Sequence, residues 1–322
     1  MVTEELVLIT GGAGFIGSHL GEQCLESGWR VVAIDAFTDY YDKQTKRSNV
    51  AQSLANSRYS LVEADLLELE LEEWLRPASV VFHLAAQPGV RISWNEFDLY
   101  TRLNVTVTQR LLEAARKTSL DRLVIASSSS IYGDAETLPT QEDIAPRPVS
   151  PYGVTKVATE QLAHVYWRNF GVPTVCLRYF TVYGPRQRPD MAFNRLIRQA
   201  LHGKPFDLYG DGEQTRDFTF VADAVKGTLA AWERGKPGTA YNIGGGSRRS
   251  MNSVLETLAS LLGRPIKRIY REPQRGDARD TAADISRARR ELGFEPSYTF
   301  QSGLESQLEW QQALIGVTGT LP

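Results

Sequence analysis

Short apolar runs recur along the first 180 residues, separated by stretches in which apolar positions return every three or four residues. Leu6–Thr10 reads as a buried strand, 11–17 as a glycine-rich turn, and 18–27 as a helix. A second strand at 30–34 ends at Asp35, and further short strands fall at 60–63, 80–84 and 123–127. Helical periodicity lies between them, including 99–117. A long helical pattern at 152–169 follows Ser-Pro, and a strand at 174–178 comes next. Continuous apolar runs, without polar alternation, suit strands buried on both faces. Strands alternating with helices predict an α/β fold, a doubly wound parallel sheet of the Rossmann type.

Beyond Gly184 the pattern changes. Loops rich in Pro, Arg and Gly become frequent: GPRQRPD, YGDGEQTRD, GGGSRRS and REPQRGDARD. The expected division is a dinucleotide-binding domain at 1–180, with a return segment at about 218–242. A smaller C-terminal α/β lobe at 181–322 would turn its arginines toward a cleft.

Composition narrows the function classes. A chain of 322 residues, 42% hydrophobic, can bury one large core plus a smaller lobe. A net charge of -2 gives no electrostatic reason for a nucleic-acid or anionic-membrane partner. Cys24 and Cys176 sit in apolar contexts, without the clustering of a disulfide framework or metal site. The first residues lack the basic and long apolar segments of a signal peptide. No window approaches the ~18 apolar residues of a membrane span. A cytosolic protein with reduced core cysteines and no metal is expected.

Gly11, Gly14 and Gly17 form GxxGxxG directly between a strand and a helix. Glycines let the backbone approach a pyrophosphate, and the helix N-terminus offers N–H donors and partial positive charge. Asp35, ending the next strand, suits the ribose hydroxyls of NAD and would repel the extra phosphate of NADP. Asp65, after the third strand, could accept from the adenine amino group.

Tyr152 and Lys156 form YxxxK and share one helix face. An ammonium near a phenol stabilises the phenolate, so the tyrosine pKa would fall toward working pH and the group could act as a base. The pair alone is a weak indication. The serine run 127–130, at the end of a strand, strengthens it, because active-site groups collect at the carboxyl ends of parallel strands.

TGGAGFIGSHL, HLAAQPGVR, SSSSIYG, SPYGVTK, TVYGPRQRP and YGDGEQTRDFTFVADAV together resemble the extended short-chain dehydrogenase/reductases that act on nucleotide sugars. The resemblance runs from about residue 6 to about 310. It implies that Gly11, Gly14, Phe15, Ile16 and Gly17 form the pyrophosphate loop. Asp35 would hold the ribose, and Asp65 with Leu66 the adenine. Ala85, Ala86, Gln87 and Asn104 would wall the nicotinamide half, and Ser128, Tyr152 and Lys156 would be catalytic. AAQPGVR, TVYGPRQRPDMAF and DYYDKQTKR look most like the UDP-glucuronate 4-epimerases. That likeness implies Arg188 on the substrate carboxylate, Thr181, Ser129 and Ser130 on the hexose, and Arg216 and Arg275 on the diphosphate. It also implies a homodimer through helices at about 95–117 and 152–169.

Ser129 and Ser130 stand where related dehydratases and UDP-glucuronate decarboxylases carry an acidic residue. Elimination of water needs that extra acid and base, so a 4,6-dehydratase is disfavoured. The expected reaction is 4-epimerisation of UDP-glucuronate to UDP-galacturonate with bound NAD. UDP-glucose 4-epimerase and UDP-glucuronate decarboxylase remain as alternatives. A non-catalytic NAD-binding scaffold or sensor remains as a different class, since fold alone does not fix function.

Overall fold

The computed structural model describes residues 5–274 and 276–318. In chain order its strands are β1 (Leu6–Thr10), β2 (Arg30–Asp35), β3 (Tyr59–Glu63), β4 (Val80–His83), β5 (Arg122–Ser128) and β6 (Thr174–Tyr179). They continue with β7 (Thr181–Tyr183), β8 (Phe206–Tyr209), β9 (Thr215–Phe220), β10 (Thr239–Ile243), β11 (Arg248–Ser250) and β12 (Arg268–Arg271). The helices are α1 (Phe15–Glu26), α2 (Lys43–Leu54), α3 (Leu71–Leu75), α4 (Phe97–Tyr100), α5 (Val107–Ala115) and α6 (Pro151–Phe170). After them come α7 (Ala192–Leu201), α8 (Val221–Arg234), α9 (Met251–Leu262), α10 (Ser286–Leu292) and α11 (Phe300–Thr318).

A seven-stranded parallel sheet, in the order β10-β6-β5-β4-β1-β2-β3, bears out the expected doubly wound fold. Its strands are apolar throughout because both faces are covered. Val7 and Ile9 of β1 pack with Phe82 and Val124 into one core, shared with Leu20 and Cys24 of α1 and Ala224 of α8. Leu8 points the opposite way and joins Val81, Leu123 and Ile125 in a second core with Leu71, Leu111 and Ala163. Successive strand residues thus feed two opposed cores, as the two-residue side-chain period requires. The chain winds outward from β1 to β2 and β3, and from β4 to β5 and β6. The carboxyl ends of β1 and β4 therefore part and leave a crevice.

The helix after Ser-Pro forms as its ends dictate. The Ser150 hydroxyl accepts from the Gly153 N–H at 3.1 Å, Pro151 fills the first helical position, and Gly171 ends the helix at φ 72°. The pattern at 99–117 predicts one helix. The structure divides it into α4, a π-helical segment at Thr101–Thr106, and α5. A three-stranded sheet, β11-β9-β7, and a parallel pair, β12-β8, stand outside the main sheet. α8 packs against α1, β5 and β6, and α10 packs against α8 and β10.

Candidate active site

A cleft of about 1280 Å³ opens at the carboxyl ends of β1, β2, β4, β5 and β6. One half begins at the glycine loop. Gly11 has φ +71°, and a Cβ there would lie 2.7 Å from the Ala85 nitrogen. A Cβ on Gly17 would lie 2.3 Å from the Gly11 carbonyl oxygen. These positions take glycine because any side chain collides with backbone. Gly14 caps α1 without a side-chain hydrogen bond, leaving the first-turn N–H groups to the cleft. This bare cradle fits a dinucleotide pyrophosphate. Phe15, Ile16, Asp65, Leu66, Ala85, Ala86 and Gln87 line the same half.

Asp35 is also there, but its carboxylate is already engaged. It accepts from the N–H of Ala13 (3.2 Å) and of Phe37 (2.9 Å), and from Lys46 Nζ at 2.8 Å. A carboxylate has about four acceptor sites. A hydroxyl placed against Asp35 would have to share it with Lys46, which also lines the cleft and offsets part of the carboxylate charge. Spacing in the sequence did not reveal Lys46, because its pairing depends on how α2 packs against α1 and β3.

Asn104 differs from its expected place. It does not reach the cleft; it stands behind the wall. Its Oδ1 accepts from the Gln87 N–H at 2.7 Å, and its Nδ2 donates to the Gln87 carbonyl at 3.1 Å and the Thr155 hydroxyl at 3.0 Å. Asn104 lies in the widened π turn, from which it fixes Gln87 to α6.

Ser128, Tyr152 and Lys156 converge at the centre of the cleft. Lys156 Nζ lies 5.9 Å from the Tyr152 ring centroid and donates to the Ala126 carbonyl at 2.9 Å. Burial lowers the lysine pKa to about 8. Burial also raises the Tyr152 phenol above its ordinary value, opposed by a hydrogen bond from Ser128 and the charge of Arg188. The expected fall of the tyrosine pKa is therefore not a property of the protein alone. Desolvation outweighs the Ser128 hydrogen bond and the Arg188 charge.

Beneath these groups lies a buried network. Arg178 of β6 forks onto Glu160 of α6, with Nη2 2.8 Å from Oε2. The Ser127 hydroxyl donates to the same carboxylate, and Arg178 Nη1 donates to the Tyr132 hydroxyl at 2.7 Å. This ties the ends of β5 and β6 to α6, one turn from Lys156.

Ser129, Ser130, Thr181, Arg188 and Arg216 line the other half of the cleft. Arg275 lies outside the described residues. Arg188 Nε and Nη2 fork onto Asp190, each at 3.0 Å. Two of its five N–H groups are used, and the Nη1 edge bonds no other described residue. Arg186, the other cation of GPRQRP, turns away and pairs with Glu22 of α1 at 2.6 Å. Arg216 Nη1 donates to the Thr215 and Arg279 carbonyls at 2.9 Å. Arg91 joins this half, paired with Asp277 at 2.9 Å and 4.5 Å from the Tyr209 ring. Among the described residues, no group of three His, Cys, Asp or Glu could hold a metal, and no helix is long and apolar enough to cross a membrane.

The model of the NAD dependent epimerase/dehydratase family matches residues 7–244. The chain belongs to this family. Membership bears out the expected NAD-dependent enzyme and sets aside the non-catalytic scaffold. An uncharacterised UDP-glucose epimerase of Bacillus subtilis is 43% identical over 313 residues, 96% of this chain and 98% of the relative. A UDP-glucuronate 4-epimerase of Thermodesulfobacterium geofontis is 36% identical over 316 residues, 96% of each chain. The crystal structure of UDP-glucuronic acid 4-epimerase from Bacillus cereus, in complex with UDP-glucuronic acid and NAD, matches with a TM-score of 0.93. It is 43% identical and covers 96% of this chain and 99% of that one. Within a family whose members divide between epimerisation and dehydration, the groups around the sugar decide the outcome. Here Ser128 is followed by two hydroxyl residues and no carboxylate.

Proposed function

We propose that this protein is a UDP-glucuronate 4-epimerase, interconverting UDP-glucuronate and UDP-galacturonate. The observation that carries this reading is Arg188. It is a cation in the sugar half of the cleft, close enough to favour the Tyr152 phenolate, with one N–H edge unspent. The similarity to UDP-glucuronate 4-epimerases across nearly the whole chain supports it.

Bound NAD supplies the two-electron oxidation and re-reduction at sugar carbon 4. The glycine loop and Asp35 hold that cofactor at its pyrophosphate and ribose, with Lys46 beside the latter. Asp65 and Leu66 take the adenine side, and Ala85, Ala86 and Gln87 the nicotinamide side. Tyr152 removes the proton from the hydroxyl on carbon 4 and later returns it. Ser128 hydrogen-bonds the same oxygen and the phenol, and the Lys156 ammonium supports the phenolate. Between the two proton transfers the 4-keto sugar turns over in the cleft. Ser129, Ser130 and Thr181 contact the hexose, and Arg216 with Arg275 holds the diphosphate.

The carboxylate of a 4-keto uronic acid is beta to the carbonyl and is lost readily when its C–C bond stands perpendicular to the carbonyl plane. A two-point guanidinium contact holds it out of that alignment, and the Nη1 edge of Arg188 suits the task. The missing acid after Ser128 argues against the decarboxylase. Arg188→Ala should weaken UDP-glucuronate binding and add UDP-pentose and carbon dioxide to the products resolved by proton NMR. Unchanged binding and an unchanged product ratio would overturn the assignment.

One observation favours a second reading. Asp190 offsets the Arg188 charge, which suits a neutral hexose, and the Bacillus subtilis relative is named a UDP-glucose epimerase. Equal or better turnover of UDP-glucose would decide for it. We further propose a cofactor domain at 1–180 with the return at 218–242, a substrate domain at 181–322, and a cytosolic homodimer. Phe97, Val154 and Val165 are exposed on the helices expected at the dimer interface.

A further inference from the structure

The segment DYYD (39–42) has no part in the chemistry above, yet two of its side chains line the cleft. It follows β2 and ends where Asp42 caps α2, its Oδ1 accepting from the Gln44 N–H at 2.8 Å. The Tyr40 hydroxyl donates to Asp190 Oδ2 at 3.3 Å. The Tyr40 ring lies 5.8 Å from the Arg188 guanidinium carbon. Asp190 in turn takes the Nε and Nη2 donors of Arg188. One guanidinium is therefore held by an aromatic face and a forked carboxylate, and those two are bonded to each other.

The space for this arrangement is specific. Gly89 has φ +100°, and a Cβ there would lie 2.5 Å from the Tyr40 hydroxyl. The Tyr100 hydroxyl donates to the carbonyls of Pro88 and Gly89, each at 2.6 Å, which fixes that loop. Three segments distant in sequence, DYYD, QPG and RPD, meet around the Tyr40 side chain. Burial raises the Tyr40 phenol to about 12, so it stays a donor at neutral pH.

Resting on the uronate reading, we infer that Tyr40 and Asp190 are positioning residues that aim the Nη1 edge of Arg188 at the sugar carboxylate. They thereby set the preference for a uronic acid over a neutral hexose. An unheld arginine would keep its charge but lose its direction, and a bidentate contact depends on direction.

The test uses the NAD-loaded enzyme and the variants Tyr40→Phe, Asp190→Asn and Arg188→Ala. Affinity for UDP-glucuronate and UDP-glucose is measured by titration calorimetry, and KM and kcat for UDP-glucuronate by proton NMR. Tyr40→Phe keeps the ring and removes the hydroxyl that bonds Asp190 and lies beside Arg188. The expected result for Tyr40→Phe and Asp190→Asn is a loss of UDP-glucuronate affinity about tenfold larger than the loss for UDP-glucose, the scale of one charge-assisted hydrogen bond. KM should rise more than kcat falls, and UDP-pentose should appear among the products. A merely structural role would weaken both nucleotides alike, and that result overturns the inference. Tighter UDP-glucuronate binding in Asp190→Asn also overturns it, because Asp190 would then be a competitor for Arg188. If Arg188→Ala impairs UDP-glucuronate binding but the other two variants do not, this inference alone fails. If Arg188→Ala changes nothing, the uronate reading itself fails.

Discussion

Beneath the strand ends of the main sheet, Arg178 and Glu160 meet at 2.8 Å with side chains 8% and 7% exposed. Across the cleft, Arg271 and Asp207 meet at 2.9 Å with side chains 52% and 30% exposed. The distances match, but the surroundings do not. Around the first pair, Ser127, Tyr132 and the Glu142 carbonyl complete the hydrogen bonding, as buried charges require. The second pair stands in water, where an ion pair contributes little. The network beneath the strand ends is thus a fixed frame of satisfied buried charges. The sugar-nucleotide half carries exposed arginine pairs, Arg271–Asp207 and Arg91–Asp277 among them, that a ligand's phosphates can replace at small cost, while Arg188 stays held by Asp190.

The largest effect should come from breaking the frame. Glu160→Gln leaves the Arg178 guanidinium buried and uncompensated, and should lower unfolding stability by about 3–5 kcal/mol in urea titration. A change as small as that of a surface pair would erase the contrast. Next in size is the chemistry that the frame supports. Tyr152→Phe should lower kcat at least ~10²-fold, equivalent to about 2.7 kcal/mol, with the fold intact by circular dichroism. Near-normal turnover would refute the base.

A smaller effect concerns the buried ammonium. With Lys156 titrating near 8, below the ordinary lysine range, the folded cofactor-free protein releases this proton before the unfolded chain does. The unfolded state then binds more protons, so this group makes stability rise with pH above about 8, by at most about 1.4 kcal/mol per unit. Below that pH the burial penalty is fully present. Lys156→Met should flatten the slope between pH 8 and 10, and parallel curves for variant and wild type would contradict the burial argument. The smallest effect belongs to the exposed pair: Asp207→Asn should change stability by less than about 1 kcal/mol.

The same contrast explains what could be read in the sequence. The glycine loop is legible because backbone geometry dictates residue type: φ +71° at Gly11 and the contact behind Gly17 exclude other side chains. The strands are legible because burial on both faces leaves uninterrupted apolar runs. The serine run 127–130, Tyr152 and Lys156 follow from their places at a strand end and on one helix face, while the family resemblance singles out Ser128 within the run. The pairings Lys46–Asp35, Tyr40–Asp190 and Arg91–Asp277 were not legible, the last two joining residues 150 and 186 positions apart. Sequence supplies the residue types there, while the partner depends on how loops meet across the cleft. Asn104 was recognised by resemblance but placed one layer too far forward, since the π turn that carries it leaves the apolar pattern of 99–117 unbroken.

The central claim is that the cleft handles a uronic acid at carbon 4 without losing its carboxylate. Its most direct test is incubation of the purified protein with UDP-glucuronate and NAD, with products resolved by proton NMR. The account predicts UDP-galacturonate as the product, with no UDP-pentose. UDP-pentose with released carbon dioxide, or no reaction with UDP-glucuronate alongside turnover of UDP-glucose, would contradict it.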